Sequence, residues 1–242
     1  MKNLSFHVKG KKLSAAVFYP EEIKKKNPAI LFVHGWTSAK ERSVQYAEGL
    51  AKLGYICFLF DMRGHGESEG EAMSMTNKDF VEDTVAAYDL LAGMENVDKN
   101  NISAVGSSFG AYLVPLLSQK RKLKNLILRA PANYSNDKFE VIKKFSNGDE
   151  PGVMKWRSEK KKPNETYSLD AVSKFDGKIL IMESEFDERI PHQTVENYIN
   201  AVKNKYNLTH AIIKDAPHSI MDKKFRNEVE DILVNWFSNR ER

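Results

Sequence analysis

One cysteine, Cys57, in 242 residues excludes any disulfide within the chain. It lies in the apolar run YICFLFD, where it reads as a small buried hydrophobe rather than a reactive thiol. No stretch approaches the roughly 20 apolar residues needed to cross a bilayer. The opening MKNLSFHVKGKKLSAAVFYP has no apolar core of a secretory signal, so a cytoplasmic protein without a membrane span is expected. Charge of one sign is scarce too. Lys and Arg number 37 against 33 Asp and Glu, interleaved along the chain for a net +4. Nucleic-acid binders need a clustered basic face, so no nucleic-acid partner is expected. The glycines do not form G-x-G-x-x-G: RGHGESEG at 63–70 lacks that spacing, the helix opening and the ribose-binding acid of a dinucleotide site. Internal repeats, low-complexity tracts and interdomain linkers are missing as well. The length is compatible with one α/β domain, with a homo-oligomer compatible with the sequence.

What is present is alternation. Runs rich in branched and aromatic residues fall at 29–35, 55–61, 101–107, 125–131, 178–184 and 210–215. Several are apolar on both faces, the pattern of strands buried in a parallel sheet. A hairpin turning near Gly10 precedes them. Between them, apolar stripes at helical spacing run from Lys78 to Met94, Gln193 to Lys203 and Phe225 to Phe237. Strand and helix in alternation argue for helices on both faces of the sheet. The segment from Ala132 to Asp176 breaks the rhythm, and a structureless connection of that length is implausible, so it should carry helices of its own or form a lid. Phe139, Ile142 and Phe145 suggest one short helix there; Trp156, Tyr167 and Leu169 suggest further apolar contacts. Its lysines, as in SEKKKPNE, are balanced by carboxylates and read as a solvated surface.

The stretch NISAVGSSFGAYLV sets two serines between two glycines where a strand runs into a helix. Such a turn is the nucleophile elbow, G-x-S-x-G. The nucleophile's backbone is strained there, and its neighbours two before and two after pack too closely for side chains. For Ser108 those neighbours are Gly106 and Gly110; for Ser107 they are Val105 and Phe109. Only Ser108 fits. Pro115, seven residues on, predicts a kink or break in the following helix.

A serine hydroxyl needs a histidine base and a carboxylate to orient it, and the elbow architecture places them later in the chain, in the order acid then histidine. After KILIMES comes EFDERIP, and after HAIIKD comes APHS, which nominates Asp187 and His218. Glu183 lies in the strand, Glu188 further towards the next helix, and Glu185 is the reserve. Oxyanion donors are expected from the backbone N–H of Phe109 and, after LFVHG, of Trp36, with Gly35 allowing a sharp turn and Thr37 the substitute. His34 reads as a neutral ring hydrogen-bonded within that loop.

The ordered set HGW at 34–36, DMRGHGES at 61–68, GSSFG at 106–110, FDERIP at 186–191 and APHS at 216–219 resembles the α/β-hydrolase superfamily, and within it small serine esterases and prolyl-oligopeptidase-like hydrolases. The resemblance covers nearly the whole chain outside 132–176. It implies an eight-stranded, mostly parallel sheet with a lid after the sixth strand, no cofactor, and packing or hydrogen-bonding roles for Asp61, His65 and Ser68 rather than metal ligation. The expected chemistry is serine hydrolysis of carboxylic esters with small to medium apolar acyl groups. A thioesterase, an acyltransferase and a small-peptide hydrolase would use the same residues, and a non-catalytic hydrolase-like binding module is the reading from another class.

Overall fold

The computed structural model describes residues 1–143 and 151–239. Eight strands form one sheet: β1 (Lys2–Val8), β2 (Lys11–Phe18), β3 (Asn27–Val33), β4 (Ile56–Phe60), β5 (Val97–Ser107), β6 (Asn125–Arg129), β7 (Lys178–Phe186) and β8 (Leu208–Pro217). Their order is β1-β2-β4-β3-β5-β6-β7-β8, antiparallel from β1 through β2 to β4 and parallel from there to β8. The β1–β2 turn falls at Lys9 and Gly10, both at positive φ, as a two-residue hairpin turn whose twist matches the strands requires. Every residue of β4 and β6 is buried, because inner strands of a sheet with helices on both faces are covered on both sides.

Helices follow from α1 (Val44–Ala51), α2 (Asn77–Gly93), α3 (Phe109–Ser118), α4 (Val153–Arg157), α5 (Tyr167–Ser173) and α6 (His192–Ala201) to α7 (Lys223–Ser238). Two cores result. Leu50 of α1 and Leu233 of α7 pack with Ile30, Ile127 and Leu180 on one face, whereas Phe80 of α2, Leu113 of α3, Leu169 of α5 and Tyr198 of α6 pack with Leu31, Leu128 and Ile181 on the other. The helix α2 opens on a capping box, Thr76 and Asp79 satisfying each other's backbone N–H.

Three details differ from the sequence reading. The strand expected from residue 101 begins at Val97, where it first pairs with Asn27 of β3. Of the kink or break expected at Pro115, no break is found: α3 runs through it to Ser118, and its residues from Phe109 to Leu117 are all buried, so packing on every side holds the helix where one hydrogen bond is missing. Phe139 and Ile142 follow a 3-10 turn at Asn136–Lys138 rather than lying in a helix, and Phe145 falls outside the described residues. Between β6 and β7 the chain does carry helices, α4 and α5, with Trp156 on the first and Tyr167 and Leu169 on the second. Among the described residues no helix is long and apolar enough to cross a membrane.

Candidate active site

The parallel strands deliver their loops to one edge of the sheet, where ligands of open α/β sheets bind. Between β5 and α3 stands Ser108, at φ 52° and ψ −109°, a conformation that costs a non-glycine residue energy and aims its side chain out of the turn. The turn is possible because its flanks carry no β-carbons. One on Gly106 would meet the carbonyl oxygen of Gly110 at 2.4 Å, and one on Gly110 would meet that of Val33 at 2.0 Å. The Ser108 N–H donates to the Arg129 carbonyl at 2.8 Å, tying the elbow to β6.

The loop after β8 brings in His218, whose Nε2 lies 3.0 Å from Ser108 Oγ. Its Nδ1 lies 2.8 Å from Oδ2 of Asp187, which follows β7. The other oxygen, Oδ1, accepts the N–H groups of Arg189 and Ile190 at 2.9 and 2.8 Å. Those bonds fix the carboxylate's direction, so Oδ2 faces Nδ1 and the other ring nitrogen, Nε2, faces the hydroxyl. Glu185, the reserve carboxylate, turns away to accept the Asp215 N–H at 2.9 Å. Glu188 does not touch the imidazole but accepts the backbone N–H of His218 at 2.9 Å.

The sequence reading missed a further support, Arg129, the last residue of β6. Its guanidinium donates to the His218 carbonyl oxygen, to Ser184 Oγ at 3.2 Å and to Ser107 Oγ at 3.3 Å, fastening the ends of β5, β6 and β7 to the histidine loop. Ser107 is thus a neighbour of the elbow that meets Arg129 rather than the imidazole.

After β3, Gly35 does not adopt positive φ; Thr37 does, at 56°. What Gly35 supplies is close approach, since a β-carbon there would stand 3.3 Å from the Ser107 carbonyl oxygen and 3.5 Å from Ser108 Cβ. Phe109 opens α3, where helix geometry leaves the first N–H groups without intrahelical acceptors, and Trp36 precedes Thr37 on the facing loop. Their side chains join Phe80, in contact with both at 5.4 Å between ring centroids. Lys143 Nζ lies 4.4 Å from the Phe109 centroid and 4.7 Å from that of Trp36, a cation over aromatic faces.

His34 serves the loop as expected. Its Nδ1 donates to the Gly35 carbonyl at 2.7 Å and its Nε2 accepts the Met62 N–H at 3.0 Å. Burial, with His65 nearby, pushes its pKa down to about 4, so the ring is neutral. Asp61 accepts from the Lys40 and Glu67 N–H groups at 2.7 and 3.1 Å, and Ser68 Oγ donates to the Asp61 carbonyl. His65 Nδ1 lies 3.1 Å from the Arg63 carbonyl. The carboxylates of Glu41, Asp61 and Glu67 converge, yet the Lys40 ammonium stands among them at 2.8, 2.9 and 2.7 Å and already supplies the balancing cation.

A cavity of about 250 Å³ opens over Ser108. It is bounded by His218, the Trp36 loop, Tyr46 of α1 and Ile190, and by Tyr134 and Arg157 from the segment between β6 and β7.

The family model described as serine aminopeptidase, S33 (Hydrolase_4) matches residues 24–173, more than half of the chain. The chain belongs to this family and to the α/β-hydrolase superfamily. The family match spans the Trp36 loop and the elbow but ends before Asp187 and His218. Est1E of Butyrivibrio proteoclasticus, solved with ferulic acid bound, superposes with a TM-score of 0.77 at 18% identity, covering 98% of both chains. An α/β serine hydrolase homologue from Coxiella burnetii gives 0.69 at 20% identity, over 97% of this chain and 96% of that one. At such identities the likeness is one of fold. Among curated relatives, the quorum-quenching protein AidA of Acinetobacter baumannii is 28% identical over 120 residues, 48% of this chain and 40% of AidA. Protein YcjY of Escherichia coli is 32% identical over 117 residues, 46% of this chain and 38% of YcjY. The matched stretch thus spans about two fifths of the length of these relatives.

Proposed function

We propose that this hydrolase is a serine esterase, with Ser108 as nucleophile, His218 as general base and then acid, and Asp187 as the group that orients the imidazole. The observation that carries the reading is the continuous path from Ser108 Oγ to His218 Nε2 at 3.0 Å and from His218 Nδ1 to Asp187 at 2.8 Å, built on a strained elbow. In the first step Ser108 Oγ forms a bond to the acyl carbon of an ester while its proton passes to His218 Nε2. The tetrahedral oxyanion is held by the N–H groups of Phe109 and Trp36. Collapse breaks the carbon–oxygen bond of the leaving alcohol, which takes the proton from His218. Water, deprotonated by the same nitrogen, attacks the acyl-enzyme; the acid leaves and the proton returns to Ser108.

In this reading residues 1–242 work as one α/β-hydrolase domain, and the segment between β6 and β7 covers the cavity through Tyr134 and Arg157. The cavity volume favours a small to medium acyl group, and its walls from Tyr46, Met182, Ile190 and Leu233 favour an apolar body. The ferulic acid held by Est1E is consistent with an ester of that size. The test is turnover of a panel of p-nitrophenyl esters from acetate to octanoate, beside thioesters and aminoacyl amides, by the protein and by Ser108→Ala. Ester turnover that peaks at short chains and is lost in Ser108→Ala supports the proposal; amide turnover exceeding ester turnover would replace it with a peptidase.

A further inference from the structure

Two buried arginines line the cavity over Ser108, Arg129 and Arg157, and among the described residues no Asp or Glu lines it with them. A buried guanidinium cannot shed its charge, and burial without a carboxylate partner is costly. Arg129 spends its hydrogen bonds on the His218 carbonyl, Ser184 Oγ and Ser107 Oγ, and Asp187 lies near enough to offset its charge. Arg157 has no such account. It is 4% exposed, yet among the described residues it enters no ion pair. One nitrogen donates to the Arg189 carbonyl at 3.2 Å, the guanidinium lies 5.2 Å from the Tyr134 ring centroid, and the buried Nε has no acceptor. The helix α4 therefore holds, against the mouth of the site, a cation with donors to spare. Arg42 and Arg189 stand on the same wall, and among the described residues that line it no side chain bears the opposite charge.

We propose that the substrate of this hydrolase is an ester that itself carries a carboxylate or a comparable anionic group, and that Arg157 recognises that group. The inference rests on the esterase reading and deepens it. An anion in the cavity would take N–H groups of the planar guanidinium as a bidentate fork, a geometry for which arginine is suited and lysine is not. An apolar body on the aliphatic wall and an anionic end at Arg157 would fix the ester's orientation over Ser108 Oγ. The sequence could not reveal this: Arg157 lies in a lysine-rich stretch that reads as solvated surface, and only the fold separates the buried guanidinium from exposed Lys155 and Lys160.

The experiment compares matched esters: p-nitrophenyl hemisuccinate against p-nitrophenyl butyrate, with the anion on the acyl side, and 4-acetoxybenzoate against phenyl acetate, with the anion on the leaving side. The unaltered protein should show a kcat/KM at least about tenfold higher for the anionic member of one pair, with most of the difference in KM, the usual worth of a charge-assisted hydrogen bond. In Arg157→Gln that ratio should fall about tenfold, and Arg157→Lys should recover only part of it. A preference for the neutral member in both pairs, or a ratio that survives Arg157→Gln, overturns the inference. A second measurement needs no variant: glutarate should inhibit turnover of the butyrate ester competitively and glutaramide should not; equal inhibition by both counts against the proposal. Ser108 labelling by a fluorophosphonate separates the two levels. Labelling and ester turnover without a charge preference overturn the anionic substrate alone, whereas a folded protein with neither contradicts the esterase reading beneath it.

Discussion

A β-carbon on Gly110 would stand 2.0 Å from the carbonyl oxygen of Val33, because α3 starts directly beneath the end of β3. Backbone lies on both sides of that contact, so no flexible side chain can yield. Gly110→Ala should therefore destabilise the fold by about 3 kcal/mol or more, a drop in melting temperature of roughly 6–12 °C for a chain of this size. Thermal unfolding followed by circular dichroism checks it. A melting temperature within 2 °C of the unaltered protein, about the shift for 1 kcal/mol, would mean that the elbow is looser than described.

Asp187 and Glu185 are two residues apart and differ in role. Asp187→Asn keeps the shape but no longer holds the imidazole in the required tautomer, so kcat should fall by about 10³ to 10⁴, as expected when an orienting aspartate of a serine protease is neutralised. Glu185 accepts the Asp215 N–H and does not reach His218, so Glu185→Gln should leave ester turnover at the level of the unaltered protein. Steady-state rates on one activated ester decide between them, and a larger loss in Glu185→Gln would exchange the assignments.

His34 makes stability depend on pH. Its pKa falls from 6.5 in the unfolded chain to about 4 when buried, so between those values the unfolded state binds more protons and stability must drop as pH drops. The loss should total about 3 kcal/mol on passing from above pH 6.5 to pH 4, since each pKa unit is worth about 1.4 kcal/mol. His65, lowered chiefly by burial, acts in the same direction. Denaturant midpoints measured from pH 7.5 to 4 should slope downward towards acid. His34→Gln should be less stable at neutral pH and show a shallower slope; an unchanged slope would remove His34 from the account.

Arg129 touches no substrate in the proposed chemistry and acts as a positioning residue through the His218 carbonyl. Arg129→Lys cannot reach three acceptors at once, so kcat should fall by up to about 100-fold, the scale of a small displacement of a reacting group. KM for a neutral ester should move little, and the rate of fluorophosphonate labelling should fall with kcat. A loss confined to KM would place Arg129 in binding instead.

The parts of this molecule that were legible in the sequence are those where local chemistry leaves one choice. Continuous apolar runs such as ICFLF mark inner strands, and the Lys9–Gly10 turn marks the hairpin. The spacing of Gly106 and Gly110 selects Ser108 over Ser107 from sequence alone, because steric exclusion at those two positions is a property of the turn itself. Other features depend on distant partners. The eight-residue helix α1 is too short for its periodicity to stand out, and it is held by packing against α7 nearly 180 residues later. Pro115 is tolerated for the same kind of reason, its helix being buried along its length. Arg129 and Arg157 carry no local signal: what sets them apart arises from what the fold brings beside them.

The central claim is that Ser108 is an activated nucleophile, and it is tested most directly by the intact mass of the protein after exposure to a fluorophosphonate, with peptide mapping and Ser108→Ala alongside. The account predicts one adduct per chain, on Ser108, and none in Ser108→Ala. A folded protein that takes up no adduct, or takes it up on another residue, would contradict it.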